Sequence, residues 1–137
     1  MRTIKPDDQI AVLRGDQGNQ LVWGNWRQKD DKWYTLDVQI ESSWYVAILS
    51  IEFSADKLKA FYRDLQDYDA LEHAEFSPEY GDNFGLSLTL KRTGNSTTKG
   101  YAAARHPFPG TPRITYEFEV EFSAVLNFTK QIGKLVS

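Results

Sequence analysis

Residues 44–65 read WYVAILSIEFSADKLKAFYRDL, and in this stretch a strand runs directly into a helix. Its first six residues are apolar on both faces, which is typical of a covered strand. Ser54 then offers an N-cap oxygen, and apolar side chains follow at helical spacing. This apolar stripe comprises Leu58, Phe61, Tyr62 and Leu65. The stretch therefore predicts a strand that ends near Phe53 and a helix over Ser54–Asp67.

The same junction recurs 69 residues later, because residues 52–55 and residues 121–124 both read EFSA. The second apolar stripe comprises Val125, Phe128, Ile132 and Leu135. Its spacing predicts a helix over Ser123–Leu135, with Ser123 as the cap. Two interpretations stay open. One is an internal duplication of a ββββα unit, with repeat units 1–69 and 70–137; the other is two independent junctions with the same capping solution.

Alternation of apolar and polar residues predicts the other strands. The stronger patterns cover 33–40, 84–91 and 114–122, and the weaker ones cover 9–14, 20–27, 70–76 and 98–104. Segments rich in Gly, Asp, Asn and Ser separate them, as in turns. Three prolines predict a loop over 106–112. Residues 1–137 are therefore predicted to form a single α+β domain, with a mainly antiparallel curved or two-layer sheet of about eight strands and two helices.

The chain lacks the residues that several common kinds of catalytic and metal site require. The chain has no cysteine, which excludes disulfides, thiol catalysis and zinc–thiolate sites. His73 and His106 are not at metal-binding spacing. His73 is predicted to be a structural histidine, and His106 lies in a predicted loop from which it could reach a ligand. Neither a glycine-rich phosphate loop nor a nucleophile elbow occurs. We therefore predict no catalytic residue, no metal, no cofactor and no enzyme activity.

The charge and hydropathy of the chain limit which partners and which cellular location we expect. The formal net charge is −3, which argues against a nucleic-acid partner. No stretch approaches the roughly 20 apolar residues that span a bilayer, and the first residues do not resemble a secretory signal. We expect a cytoplasmic protein without a membrane partner. The sequence does not determine its oligomeric state.

Acidic residues supply one set of candidates for function. Glu117, Glu119 and Glu121 project from one face of the last predicted strand. They are consistent with a solvated face, with a docking surface for another protein, or with a carboxylate-dependent enzyme. Asp67 lies at the C-terminal end of the first predicted helix, Asp69 follows it, and both add to the acidic surface. These carboxylates favour a basic partner.

The four tryptophans all fall between residues 23 and 44. Trp33 is predicted on the same strand face as Asp37, and exposed tryptophan is enriched at protein interfaces. The predicted partner-binding residues are Trp33, Asp37, Asp67, Asp69, Glu117 and Glu119. An alternative is a small-ligand or carbohydrate-binding module, in which Trp23, Trp26 and Trp33 line a concave sheet face.

Residues 53–61 read FSADKLKAF, a strand end that leads into a helix with the pattern F-S-x-x-L-x-x-F. The strand of Leu86, Leu88 and Leu90, a further strand at Gly100 and the closing strand and helix follow it. Over residues 45–137 this order resembles the WapI-like bacterial immunity proteins. The resemblance implies a cytoplasmic, non-enzymatic protein that binds and neutralises one cognate toxin domain.

Overall fold

The computed structural model describes residues 3–79, 83–103 and 113–136 of the chain. Within these ranges the strands are β1 (Gln9–Arg14), β2 (Gln20–Gln28), β3 (Trp33–Glu41), β4 (Val46–Ser54), β5 (His73–Phe76), β6 (Phe84–Leu90), β7 (Ser96–Ala103) and β8 (Arg113–Val120). The α-helices are α1 (Ala55–Gln66), α2 (Tyr68–Leu71) and α3 (Phe122–Val136), and 3-10 turns cover Pro6–Asp8 and Asp16–Gly18. The predicted loop over 106–112, with His106, lies outside the described residues.

The strands form two four-stranded antiparallel sheets, in the orders β1-β2-β3-β4 and β5-β6-β7-β8. Each sheet follows chain order, and a helix follows its last strand. The predicted α+β fold with eight mainly antiparallel strands is therefore confirmed, and the order ββββα occurs twice.

The helix α2 differs from the sequence prediction, which assigned a strand to the whole of 70–76. Residues 70 and 71 belong to α2, and only residues 73–76 form a strand. Tyr68 explains the difference. Its ring is buried, and its hydroxyl donates a hydrogen bond to the Ser96 hydroxyl at 2.8 Å. This tertiary contact holds the chain in one more helical turn before β5 begins.

The two EFSA junctions begin their helices differently. The Ser54 side chain accepts the Lys57 N–H at 3.2 Å, as the N-cap prediction requires. The prediction for Ser123 is wrong, because that residue lies inside the first turn of α3. The Glu121 carbonyl accepts the Ala124 N–H there at 3.0 Å, and the Ser123 hydroxyl lies 3.5 Å from the Glu121 carboxylate.

The core forms where the inner faces of both sheets meet the helices. The Trp23 side chain is completely buried at its centre. Its ring centroid lies 5.2 Å from that of Phe76, 5.6 Å from that of Phe128 and 6.1 Å from that of Phe61. Trp23 comes from the first sheet, Phe76 from the second, and the other two rings from α3 and α1. One aromatic cluster therefore joins both halves of the chain.

Each long helix packs on the first strand of the other half. Helix α1 contacts β5, and α3 contacts β1. The contact between α3 and β1 includes a hydrogen bond from the Val12 N–H to the Gln131 side chain at 2.8 Å. The two ββββα halves thus exchange helices.

Candidate functional site

The six predicted partner-binding residues lie in three places. Trp33 and Asp37 are on β3, Asp67 and Asp69 are at the junction of α1 and α2, and Glu117 and Glu119 are on β8. Glu117 and Glu119 share one face of their strand, as do Trp33 and Asp37. The α1–α2 pair is on neither sheet. The prediction therefore names residues on three different elements.

Asp37 is held by a polar network on the outer face of the first sheet. Its carboxylate accepts hydrogen bonds from Ser50 at 2.6 Å, from Asn25 at 2.8 Å and from Arg27 at 3.3 Å. Partial burial raises the pKa of Asp37, but these hydrogen bonds and the Arg27 charge outweigh it and hold the pKa below its usual value. Every contact to this carboxylate comes from its own sheet, which gives Asp37 a structural role.

The Glu119 carboxylate is also held by hydrogen bonds from nearby side chains. It accepts hydrogen bonds from Lys91 and from Thr97, and these lower the pKa of Glu119. A general acid that works near neutral pH needs a raised pKa, so Glu119 does not suit that role. Glu117 differs. It is exposed, and it forms no ion pair with any residue in the described ranges.

Asp67 shapes the junction between two helices. Its backbone carbonyl accepts the N–H groups of Ala70 and Leu71, at 3.0 and 2.9 Å. Asp69 is exposed in the first turn of α2, where the helix dipole favours a carboxylate. Local backbone structure therefore accounts for both positions without a partner.

The tryptophans do not form the predicted concave binding face. Trp23 is completely buried in the core, so the ligand-binding hypothesis is wrong for this residue. Trp26 stacks on Tyr34, with 4.6 Å between ring centroids. Trp33 lies half-buried near Lys29 and Glu52.

Trp44 is the tryptophan that faces solvent. Its exposed fraction is 93%, and it lies in the turn between β3 and β4. The sequence prediction placed it in the strand, because its neighbours on the C-terminal side are apolar. The preceding Ser42 and Ser43 were the available signal for a turn. A large aromatic ring that is exposed at a turn is a candidate anchor for a partner protein.

A groove of about 280 Å³ separates the Trp44 turn from β8. Trp44 and Tyr45 line one side, and Glu117 lines the other. The charged residues of the lining are Glu41 and Glu117, so the groove is acidic. The Glu41 carboxylate accepts a hydrogen bond from the Gln20 side chain, which fixes its position.

The groove follows an open edge of the second sheet. β8 is the last strand in the order of that sheet, so none of the described strands pairs with its outer edge. The Thr115 carbonyl at this edge accepts a hydrogen bond from the Tyr45 hydroxyl at 3.3 Å. Residues two apart in a strand point their backbone groups the same way, so the N–H and C=O of Glu117 also face the groove. They make no hydrogen bond to another segment within the described residues.

A larger cleft of about 580 Å³ lies on the outer face of the same sheet. Its floor includes Gly85 and Ser87 of β6, and Lys99 and Tyr101 of β7. The Arg113 guanidinium stacks on the Tyr101 ring, 4.2 Å from its centroid. Among the sequence candidates, Glu117 borders this cleft. The glycine, serine and threonine residues of the strand face gave no signal of concavity.

Within the described ranges, no group of three His, Asp or Glu side chains is arranged so that it could hold a metal ion. His73 lies on the surface; its ring contacts the Thr89 hydroxyl at 3.2 Å and the Glu75 carboxylate at 2.9 Å. Likewise, no helix within these ranges is long and apolar enough to cross a membrane.

No protein-family model matches the chain, and no curated protein matches its sequence significantly. Among solved structures, the chain is similar to one from the crystal structures of trypanosome MRP1/MRP2. The two chains share 15% sequence identity and superpose with a TM-score of 0.51. The match covers 88% of this chain and 75% of the other. At this identity the similarity shows a shared fold alone.

Proposed function

We propose that this protein is a non-enzymatic binding module that holds a basic segment of another protein in the groove between the Trp44 turn and β8. The exposure of Trp44 carries the proposal. A tryptophan that is 93% exposed contributes nothing to the core, whereas its burial by a partner contributes about 2 kcal/mol or more. Tryptophan is among the residues that most often dominate binding energy.

The acidic lining of the groove indicates the kind of segment that it binds. Glu41 and Glu117 line the groove, and no basic residue of the described part of the chain does. A lysine or arginine of the partner would form an ion pair with one of these carboxylates. The partner would also associate faster at low salt. The open backbone of Glu117 adds a hydrogen-bond donor and an acceptor for an extended segment. The occupant is thus an extended segment with a basic residue beside an apolar one.

The resemblance of residues 45–137 to WapI-like immunity proteins supports a more specific form of this proposal. In that form the partner is a bacterial toxin domain, and this protein neutralises it in the cytoplasm. An acidic groove with an exposed tryptophan suits a basic toxin domain. Neutralisation requires that the toxin lose activity when bound.

The first prediction is that Trp44→Ala abolishes partner capture without loss of stability. We expect affinity to fall by about 30-fold or more, because an anchor residue of this kind contributes about 2 kcal/mol. The free energy of unfolding should change by less than about 0.5 kcal/mol, because the side chain is exposed. Affinity capture from the native host, followed by titration calorimetry with the purified partner, measures both quantities.

Leu126→Ala is the matched control, since Leu126 is a large exposed apolar residue on α3 with an exposed fraction of 47%. This variant should keep full affinity. Equal loss of affinity in both variants would count against the groove. If no partner is captured and the protein instead turns over a small substrate, the binding function itself fails. Toxicity assays with and without this protein then test the immunity form separately.

A further inference from the structure

The cleft on the outer face of the second sheet has an unusual floor. β6 contributes the small residues Gly85 and Ser87, and the ring of Tyr101 leans over Gly85. A Cβ at position 85 would lie 2.5 Å from that ring, so only glycine allows this arrangement. Tyr101 thereby becomes an apolar wall beside the polar side chains of Ser87 and Lys99. The volume of about 580 Å³ lies within the range of small-ligand sites.

Polar side chains in this cleft have unused binding capacity. Lys99 lies opposite Ser87 on one side and Glu117 on the other, yet it forms no ion pair with the part of the chain that is described. The hydroxyls of Ser87 and Thr115 also have no hydrogen-bond partner there. An ammonium, a carboxylate and two hydroxyls thus converge without mutual hydrogen bonds.

The backbone excludes a peptide strand as the occupant of the cleft floor. β6 and β7 are interior strands, and both of their edges are paired in the sheet. Recognition must therefore use side chains that both donate and accept hydrogen bonds. A ligand rich in hydroxyl groups matches this set.

The charges limit the ligand further. Within the described residues, the charged lining comprises two acidic side chains, Glu75 and Glu117, and two basic ones, Lys99 and Arg113. A phosphate dianion would leave negative charge uncompensated beside the glutamates. A single carboxylate can pair with Lys99, and hydroxyls can pair with Glu117.

From these observations we infer that the cleft binds a saccharide that carries one carboxylate, such as a uronic acid. The carboxylate contacts Lys99, the ring hydroxyls contact Ser87, Thr115 and Glu117, and an apolar face of the sugar packs on Tyr101. The cleft shares Thr115, Tyr116 and Glu117 with the Trp44 groove, but its floor on β6 and β7 lies outside that groove. It does not depend on the proposed protein partner.

D-glucuronate is the probe, and amide chemical shifts of the full chain are the readout. We expect saturable shifts at β6 and β7, with Kd in the millimolar range or tighter. D-glucose, which lacks the carboxylate, and acetate, which lacks the hydroxyls, should each bind at least about tenfold more weakly, the loss expected for one charge-assisted contact. Equal shifts with glucose or acetate would overturn the inference, as would no shift with glucuronate at high concentration.

Lys99→Gln is the main variant, because an exposed lysine is replaceable without loss of folding. It should weaken glucuronate binding by about tenfold or more. Lys59→Gln, an exposed lysine on α1, is the matched control and should bind normally. Trp44→Ala should also leave glucuronate binding unchanged. Unaltered binding in Lys99→Gln, or equal weakening in Lys59→Gln, would overturn the site.

Discussion

Gly100 lies opposite Tyr116 in the register of β7 and β8, and the Tyr116 hydroxyl donates a hydrogen bond to the Gly85 carbonyl at 2.6 Å. A Cβ at position 100 would lie 1.8 Å from that carbonyl oxygen and 2.6 Å from the hydroxyl. Burial, with smaller effects of Tyr45 and Tyr101, raises the pKa of Tyr116, so the hydroxyl remains a donor. The absence of a side chain at Gly100 therefore permits a buried hydrogen bond.

We predict that Tyr116→Phe lowers the free energy of unfolding by about 1–3 kcal/mol, because it leaves the buried Gly85 carbonyl without this donor. Gly100→Ala should cost more, because its Cβ would collide with backbone. Urea denaturation measures both. Tyr62→Phe is the control, since the Tyr62 hydroxyl makes no hydrogen bond within the described residues. Equal effects of Tyr62→Phe and Tyr116→Phe would contradict the assignment.

Asp37 gives a prediction about pH. Hydrogen bonds from Ser50, Asn25 and Arg27 hold its folded-state pKa below the unfolded value of about 3.9. Its contribution to stability is therefore fully present above pH 4 or so, and it is lost as pH falls through the folded-state pKa. Asp37→Asn should be less stable than the wild type at neutral pH, and the difference should shrink in acid. Urea titrations at several pH values test this; a difference that is constant down to about pH 2 would refute it.

At the scale of elements, the two EFSA junctions show how tertiary contacts change a local signal. β4 continues to Ser54, because the Ser54 N–H donates to the Glu79 carboxylate at 3.0 Å and the Ala55 N–H donates to the Lys32 carbonyl at 2.8 Å. β8 ends at Val120, and α3 begins two residues later. The first EFSA sequence therefore provides the N-cap of α1 with Ser54, whereas the second places Ser123 inside the first turn of α3.

A pair of serine variants tests this difference. Ser54→Ala should lower the free energy of unfolding by about 1 kcal/mol, the usual cost of a lost N-cap. Ser123→Ala should change it by less than about 0.5 kcal/mol, because its hydroxyl only approaches the exposed Glu121 carboxylate. Thermal or urea unfolding of the two variants side by side provides the comparison. Equal losses would mean that Ser123 caps α3 after all.

At the scale of the whole molecule, the exchange of helices makes the halves interdependent. Helix α1 packs on β5 and α3 packs on β1, and the rings around Trp23 come from both halves. Either half alone would expose the aromatic face that the other covers. The ββββα unit therefore recurs in the order of elements, but neither copy has a hydrophobic core of its own.

We predict that the fragments 1–72 and 73–137 do not fold separately and regain structure when mixed. Near-UV circular dichroism reports the packing of Trp23, and it should be absent in each fragment and restored in the mixture. Phe128→Ala in the second fragment should prevent restoration, because it removes one ring of the shared cluster. Cooperative unfolding of either fragment alone would contradict this interdependence.

Alternation and helical spacing are local patterns, so they predicted the strand faces, the helices α1 and α3, and the two strand-to-helix junctions. Alternation also put Leu36 and Val38 on one face, and both are buried. Which tryptophan is buried and which is exposed depends on tertiary packing. Trp23 and Trp44 both lie next to apolar residues, but the aromatic rings of α1, α3 and β5 cover only Trp23. The groove and the cleft likewise depend on how distant strands and turns meet, which local spacing does not encode.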